Sequence, residues 1–298
     1  MSLTEKIPGR AWGVLVLLSL IWGSSFIIIK KVLPLYSPGE VGALRILSAS
    51  LFLLPWSLLR LKGFSSRDWV YLGVVGLFGS FLPAFLFALA QTRIDSSIAG
   101  VLNAVTPFSV LLIGAIFFSQ RIVTRQGLGL LVGFVGTSVL LLAGSQGQLS
   151  QINYFAFFVI GAAVCYGFNV NIIKYKLGEI DSVTITSLSL LIAGPVALVY
   201  LVWFSNLNRE TITADGALFA LGLVVVLGIL GTAIALILFN YLVKISTPIF
   251  ASSVTYLIPI VAVLWGLWDG ETLLVGHYIA MALILFGLYI THRRGVRK

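Results

Sequence analysis

Charged side chains are so unevenly spaced in this chain that nine stretches contain no Asp, Glu, Lys or Arg. They run over residues 11–29, 46–59, 69–92, 96–120, 126–173, 182–208, 216–243, 245–268 and 272–292. A helix that crosses a bilayer needs about 20 mostly apolar residues. Seven of the nine stretches have that length or nearly so, and each predicts one membrane-spanning helix.

The other two stretches need adjustment before they fit the same pattern. Residues 46–59 are too few for a span, but a helix that starts near Glu40 and carries Arg45 inside it is long enough. Residues 126–173 are too many for one span, and a polar, turn-forming segment at 144–153 divides them into two. The first stretch has no small-residue cleavage site after it, so it is interpreted as helix 1 and not as a signal peptide. The sequence therefore predicts an all-α membrane protein with ten transmembrane helices.

Composition excludes several classes of function. Only 10% of the 298 residues are charged, against about 25% in an ordinary soluble domain, which excludes a cytosolic enzyme, a disordered protein and a secreted domain. The lone cysteine, Cys165, excludes an internal disulfide and a cysteine-based zinc site. Neither His277 nor His292 has a metal-ligand partner three or four residues away, so no metal and no cofactor are expected. The chain also lacks a phosphate-binding Gly-x-x-x-x-Gly-Lys-[Ser/Thr] motif, which excludes ATP hydrolysis.

The net charge of +9 is a topology signal. With the N-terminus inside, 14 of the 19 Lys and Arg residues lie on the inner side, four lie on the outer side, and Arg45 lies within helix 2. Because short cytoplasmic loops are enriched in Lys and Arg, both termini are predicted to be cytoplasmic. We expect a multi-pass protein of the inner (plasma) membrane, with no nucleic-acid partner.

The two halves of the chain resemble each other. Trp22-Gly23 followed by Lys30 matches Tyr166-Gly167 followed by Lys174, 144 residues later. At a shift of 152, matches link Gly76–Ser80 with Gly228–Thr232, Phe87 with Phe239, Ala99 with Ala251 and Pro107 with Pro259. The matches predict two halves of five helices each, at 10–144 and 153–292. Five is an odd number, so the second half enters the membrane inverted, an arrangement that places a substrate site near the midplane between the halves.

The same residues resemble the EamA-type ten-helix permeases of the drug/metabolite transporter superfamily. The resemblance rests on Leu20–Phe26 with Tyr166-Gly167, on Ala99–Pro107 with Ala251–Pro259, and on Gly270-Glu271. It implies ten helices, cytoplasmic termini and a central cavity lined mainly by helices 1, 3, 4, 6, 8 and 9. It also implies export of amino acids or other small metabolites. The chain departs from its own pattern at Gln120, which stands where the second half has Glu271.

Polar residues inside the spans are candidates for substrate binding, because such groups are costly in lipid and usually face protein or a cavity. The candidates are Trp22, Ser24, Ser25, Asn103, Thr106, Tyr166, Asn169, Asn240, Thr255 and Tyr256. The alternatives are helix packing for the hydroxyl residues and Trp22, and hydrogen bonds between helices for the asparagines. Pro107 and Pro259 are candidate helix breaks, each freeing the carbonyl four residues earlier, on Asn103 and Thr255.

The charged residues near the spans have more than one possible role. Lys30 and Lys174 occupy matching positions, and each is either an anchor at a helix end or a gate that attracts anions. Arg45 is expected to pair with Glu40. Asp269 and Glu271 are expected in a solvated loop.

The sequence favours a secondary transporter without enzymatic activity that exports small neutral or zwitterionic metabolites, with amino acids as the expected substrates. No Asp or Glu stands at mid-depth in helices 1, 3, 4, 6, 8 or 9, which disfavours exchange of a cationic drug for a proton at a buried carboxylate. One alternative is an organic-anion or sugar-phosphate exchanger, which needs Lys30, Lys174 or Arg45 in the cavity. Another is a membrane-embedded lipid-modifying enzyme that uses Asp269, Glu271 and His277. The expected partners are a small-molecule substrate and membrane lipids, with the chain a monomer or a homodimer.

Overall fold

The computed structural model describes residues 8–120, 124–144, 153–207 and 214–292, and these residues form ten helical segments. We number them α1 to α10 in chain order. Their bounds are Gly9–Val32, Pro38–Leu58, Ser66–Ala90, Ser96–Phe117, Thr124–Gly144, Ala156–Lys176, Ser182–Trp203, Ala217–Ile245, Pro248–Trp268 and Val275–His292.

Eight of these helices, all except α5 and α10, are long and apolar enough to cross a membrane. Large apolar side chains face outward along them, as with Ile116, Phe219 and Trp268, which are 70%, 74% and 81% exposed. An apolar surface of this kind fits lipid and not water. The chain is thus a multi-pass all-α membrane protein, as its sequence predicts, while the full count of ten spans stays a prediction.

The helix starts follow from local sequence. Ser37 and Glu40 form a capping box at the start of α2, with the Glu40 carboxylate accepting from the Ser37 N–H at 2.8 Å. Asp181 caps α7 by accepting from the Thr184 N–H at 3.0 Å. Arg45 lies within α2, as the sequence predicts.

Four helices are irregular: α3, α4, α8 and α9. A π-helical turn interrupts α3 at Leu77–Phe81, and another interrupts α8 at Ile229–Ile234, 152 residues later. A 3₁₀ turn interrupts α4 at Asn103–Val105, and α9 is broken at Ser253. A π-turn is wider than a regular α-helical turn, and a 3₁₀ turn is tighter. Turns of the π type are frequent at functional sites.

The helices pack in matched pairs. The α2 helix packs on α7, and α5 packs on α10; α1 packs on α8 and α9, as α6 packs on α3 and α4. Glycines allow the closest approaches. A methyl group on Gly23 in α1 would lie 2.5 Å from the Val261 Cβ in α9, and one on Gly167 in α6 would lie 2.9 Å from the Ser109 backbone in α4. This pairing places α1, α3, α4, α6, α8 and α9 around a common centre.

Candidate functional site

A cavity lies at that centre. Its walls come from α1, α3, α4, α6, α8 and α9, which are the helices that the resemblance implies, and α2 contributes one residue. The lining residues include Trp22, Ser25, Phe26, Ile29, Arg45, Gly79, Phe87, Asn103, Thr106, Tyr166, Asn169, Leu236, Phe239, Ser252, Thr255 and Ile258.

Five aromatic side chains line the cavity: Trp22, Phe26, Phe87, Tyr166 and Phe239. The rings of Phe26 and Phe87 meet edge to face at 5.4 Å between centroids, Phe87 stacks on Tyr166 at 6.2 Å, and Trp22 lies 5.2 Å from Phe239. The polar candidates Trp22 and Tyr166 line the cavity, whereas Phe87 and Phe239 were not among the predicted site residues. A signal for them existed, since these two phenylalanines match each other in the repeat.

Arg45 supplies the cavity's positive charge. Its Nε donates to the Thr232 Oγ1 at 2.6 Å, and one terminal nitrogen donates to the Gly231 carbonyl at 3.3 Å. The Trp22 Nε1 donates to the same carbonyl at 2.9 Å. The π-turn of α8 therefore presents a backbone oxygen that holds both the guanidinium and the indole.

The predicted ion pair between Glu40 and Arg45 is wrong. Glu40 accepts instead from the backbone N–H of Ser37 and from that of Asn206, the latter at 3.0 Å. Residues five apart lie on different sides of a helix, so each side chain takes partners on its own side. No Asp or Glu is among the residues that line the cavity in the described part of the chain.

A polar patch lies where α4 and α9 are irregular. The Thr106 hydroxyl donates to the Asn103 Oδ1 at 3.1 Å, and the Thr255 hydroxyl donates to the Ser252 carbonyl at 2.9 Å. The prediction that Pro107 leaves the Asn103 carbonyl free is wrong, because the 3₁₀ turn lets the Thr106 N–H donate to it. That Pro259 frees the carbonyl of Thr255 stays a prediction. Pro259 itself lines a separate apolar pocket between α4, α9 and α10.

The remaining substrate-binding candidates are distributed as follows. Ser25 and Asn169 line the cavity. Ser24 lies outside it, in a groove between α1, α8 and α9, where it accepts from the Trp265 Nε1 at 2.9 Å. Asn240 also lies outside it and donates to the Thr186 Oγ1 at 2.8 Å, so it joins α8 to α7. The side chain of Tyr256 is outside the described part of the structure.

The two matched lysines also lie away from the cavity lining. Lys174, at the end of α6, donates to the carbonyl of Ser246 at 2.7 Å and to that of Val243 at 3.3 Å, and so binds the last turn of α8. Lys30 lies near the end of α1 and forms ion pairs with Asp269 at 2.8 Å and with Glu271 at 2.7 Å. The sequence did not anticipate either set of partners.

We define the end cluster as the group of side chains that meet at the C-terminal end of α1: Lys30, Lys31, Ser96, Ser97, Asp269 and Glu271. The expectation of a solvated loop is wrong for Glu271, whose side chain is 3% exposed. Its two carboxylate oxygens accept from the hydroxyls of Ser96 and Ser97, both at 2.6 Å. Lys31 pairs with Asp269 at the outer edge of the cluster.

The end cluster predicts a specific dependence of stability on pH. Burial alone raises the pKa of Glu271, but hydrogen bonds from Lys30, Ser96 and Ser97 outweigh it and lower that pKa from 4.5 to about 2. A carboxyl whose folded pKa is depressed stabilises the fold above its unfolded pKa and loses this contribution as the pH falls. The Glu271 contribution should therefore be constant from neutrality down to about pH 4.5 and should vanish toward pH 2.

Thermal unfolding of the detergent-purified protein over this pH range measures the effect. We expect the unfolding midpoint to fall more steeply in acid for the parent protein than for Glu271→Gln, because only the parent has this carboxylate to protonate. Equal slopes for the two proteins would contradict the assignment.

The side chains that a lipid-modifying enzyme would use are occupied by other contacts. Asp269 and Glu271 are both engaged by lysines, and the His277 Nδ1 accepts from the Leu274 N–H at 3.0 Å at the start of α10. Within the described ranges, no group of three His, Cys, Asp or Glu residues is placed to hold a metal ion.

A model of the EamA-like transporter family matches residues 10–142 and matches again at residues 153–293. The chain belongs to the EamA-like transporter family. The family and its named members mark the chain as a transporter rather than an enzyme.

Several individual relatives align with this EamA-like transporter over almost its whole length. An uncharacterized transporter of Archaeoglobus fulgidus is 26% identical, covering 96% of this chain and 99% of its own. The uncharacterized inner membrane transporter YedA of Escherichia coli strain K12 is 27% identical, covering 97% and 92%. A probable terminal-alkyne amino-acid exporter of Streptantibioticus cattleyicolor is 25% identical, covering 97% and 95%.

A solved crystal structure shares the fold. Its TM-score is 0.68, and the alignment covers 95% of this chain and 96% of the other at 19% sequence identity. Similarity at this level of identity concerns the helix arrangement alone.

Proposed function

We propose that this transporter exports amino acids, or closely related zwitterions with an apolar side chain, across the bacterial inner membrane by alternating access. The observation that carries the proposal is the cationic Arg45 in an otherwise uncharged cavity that five aromatic side chains help to line. The relative from Streptantibioticus cattleyicolor is named as an amino-acid exporter, which supports this substrate class. YedA is named as an inner membrane transporter, which supports a location in the inner membrane.

Arg45 can bind a carboxylate group of the substrate. Its guanidinium has five N–H donors, and the described residues accept two hydrogen bonds from it, both on neutral oxygens of α8. A charge away from bulk water is costly unless it is paired, and a carboxylate accepts from a guanidinium in a bidentate manner. Arg45 also borders a small second pocket, which shares Trp22 and Tyr166 with the main cavity.

The remainder of the cavity suits the other parts of such a solute. Phe26, Phe87 and Phe239 offer apolar faces to a hydrophobic side chain. The patch of Asn103, Thr106 and Thr255 offers oxygens to an ammonium group, and aromatic faces also attract cations. One solute with a carboxylate, an ammonium and an apolar group can use all three regions together.

A sugar-phosphate exchanger fits less well. A phosphate with about two negative charges calls for more than one cation, and Arg45 is the one Lys or Arg that lines the described cavity. Lys30 and Lys174 are engaged at opposite ends of the bundle, with the end cluster and with the carbonyls of α8.

The inverted repeat is part of the same proposal. The twofold family match, the paired packing of helices and the matched π-turns all support two halves at 10–144 and 153–292. In the predicted orientation, the end cluster faces the periplasm and Arg60 faces the cytoplasm.

Counterflow in proteoliposomes tests the substrate class. Vesicles loaded with a panel of unlabelled amino acids should accumulate the matching radiolabelled amino acid, while loading with the corresponding amino-acid amide or with the decarboxylated amine should give little accumulation. Equal accumulation driven by an amino acid and by its amide would reject the role of the carboxylate.

A further inference from the structure

Glu271 binds to two helices at once and so joins them to its own loop. It lies in the loop between α9 and α10, and its carboxylate accepts from the Lys30 ammonium of α1 at 2.7 Å. It also accepts from the hydroxyl and the backbone N–H of both Ser96 and Ser97 in the first turn of α4, with the N–H contacts at 3.2 and 3.1 Å. Five hydrogen bonds thus hold the loop of the second half onto two helices of the first half.

The first turn of α4 is capped by a residue that is far away in sequence. Asp95 occupies the residue before α4 in an extended conformation, with φ −65° and ψ 152°, which is the geometry of a capping residue. Its side chain makes no capping hydrogen bond among the described residues. Glu271, far away in sequence, takes those N–H groups instead. Burial raises the pKa of Asp95, and the charge of Glu271 raises it further, in keeping with two carboxyls close to one helix start.

The two helices that Glu271 contacts, α1 and α4, both line the cavity. Ile29, the residue before Lys30, lines the cavity together with Phe26. Phe26 packs edge to face on Phe87, and Gly100 of α4 lies directly against the Ala262 Cβ of α9 beside it. An opening of the cavity at this end that moves α1, α4 and the loop after α9 apart must break the hydrogen bonds of Glu271, because Glu271 joins these three parts.

We propose that Glu271 is a latch that keeps this end of the transporter closed, and that Asp95 replaces it as the cap of α4 when the end opens. The exchange leaves the first turn of α4 capped in both conformations. The latch belongs to one end alone, because the matching position in the first half is Gln120, a neutral amide that cannot form an ion pair. The proposal rests on the transport function of the family and not on the identity of the substrate.

Thiol labelling tests the latch without any substrate. In a Cys165→Ala background, which removes the chain's one natural cysteine, Ile29→Cys places a thiol in the cavity below the latch. A charged, membrane-impermeant thiol reagent is added to intact cells and to inside-out vesicles, so that each end of the molecule is probed separately. From the end-cluster side, Glu271→Gln should raise the labelling rate roughly tenfold or more, because losing hydrogen bonds to a charged group shifts a two-state equilibrium by that order.

Two further variants make the result specific. Asp95→Asn removes the neighbouring carboxylate without touching the latch, and its labelling rate should equal or fall below that of the parent. The double variant Ser96→Ala, Ser97→Ala removes two donors to Glu271 and should raise the rate by a smaller factor; it also serves if Glu271→Gln fails to give a monodisperse protein. Unchanged rates in the folded latch variants from both sides, or an equal rise in Asp95→Asn, would overturn the proposal. A negative result here leaves the carboxylate assignment to Arg45 intact, and the reverse also holds.

Discussion

Replacing Arg45 by Gln should reduce kcat/KM for a transported amino acid on the order of 100-fold, because removing one partner of a buried charge pair costs about 2–5 kcal/mol. The guanidinium is the one cationic group that lines the described cavity, and a neutral amide cannot form the ion pair with a carboxylate. The expected loss is selective. Any residual transport of an amino-acid amide should change little, since that solute has no carboxylate to pair.

Two variants separate this role from a purely structural one. Arg45→Lys keeps the charge and loses the forked geometry, so it should retain part of the activity. Arg60→Gln is the matched control, because Arg60 follows α2 at its other end and pairs with Asp181 at 2.7 Å on the exposed surface; exposed pairs contribute about 0–1 kcal/mol. If Arg45→Gln lowered transport of the acid and of the amide by the same factor, the hydrogen bonds to Thr232 and Gly231 would be its whole function.

Adding a single methyl group at Gly23 should destabilise the protein by about 1–3 kcal/mol, the usual cost of overpacking. In Gly23→Ala the new Cβ would lie 2.5 Å from the Val261 Cβ and 3.2 Å from the Ile258 carbonyl, so α1 and α9 would have to move apart. This contact borders the cavity, and we expect lower yields of folded protein together with a lower unfolding midpoint in detergent.

Gly13 in the same helix is the control, because no atom lies within 4 Å of the position where its Cβ would stand. Gly13→Ala should be neutral or slightly stabilising, since alanine favours a helix by about 1 kcal/mol over glycine. The second-site change Val261→Gly removes the clashing Cβ and should restore part of the stability of Gly23→Ala. Equal unfolding midpoints for the two alanine variants would contradict the close approach of α1 and α9.

The membrane fold could be predicted because its signal is local. Charge-free stretches of about 20 residues give the spans, and the Ser37–Glu40 capping box places the start of α2 so that Arg45 falls inside the helix. The set of helices around the cavity was implied by the resemblance to the EamA-type permeases. The matched phenylalanines Phe87 and Phe239 carried the same information, but an apolar residue in an apolar helix gives no sign of which side it faces.

The failures concern contacts between residues far apart in sequence. Glu271 was expected in water because its neighbours in sequence are turn residues, whereas Ser96 and Ser97, about 175 positions earlier, bury it. Arg45 was assigned to Glu40 because Glu40 is close along the chain, whereas its observed partners lie in α8. Ion pairs in a bundle are set by which helix faces meet, and that information is spread over the whole chain.

Substrate protection of a cavity thiol tests the central claim most directly. In the Cys165→Ala background, Thr106→Cys places a thiol among the lining residues, and Tyr154→Cys, at a side chain that is 70% exposed in the loop before α6, provides the control. We predict that a transported amino acid slows labelling of the thiol at position 106 in proportion to site occupancy and leaves the thiol at position 154 unchanged, while its amide protects neither. Labelling at position 106 that is unaffected by saturating amounts of a solute the protein demonstrably transports would contradict the claim that this cavity is the substrate site.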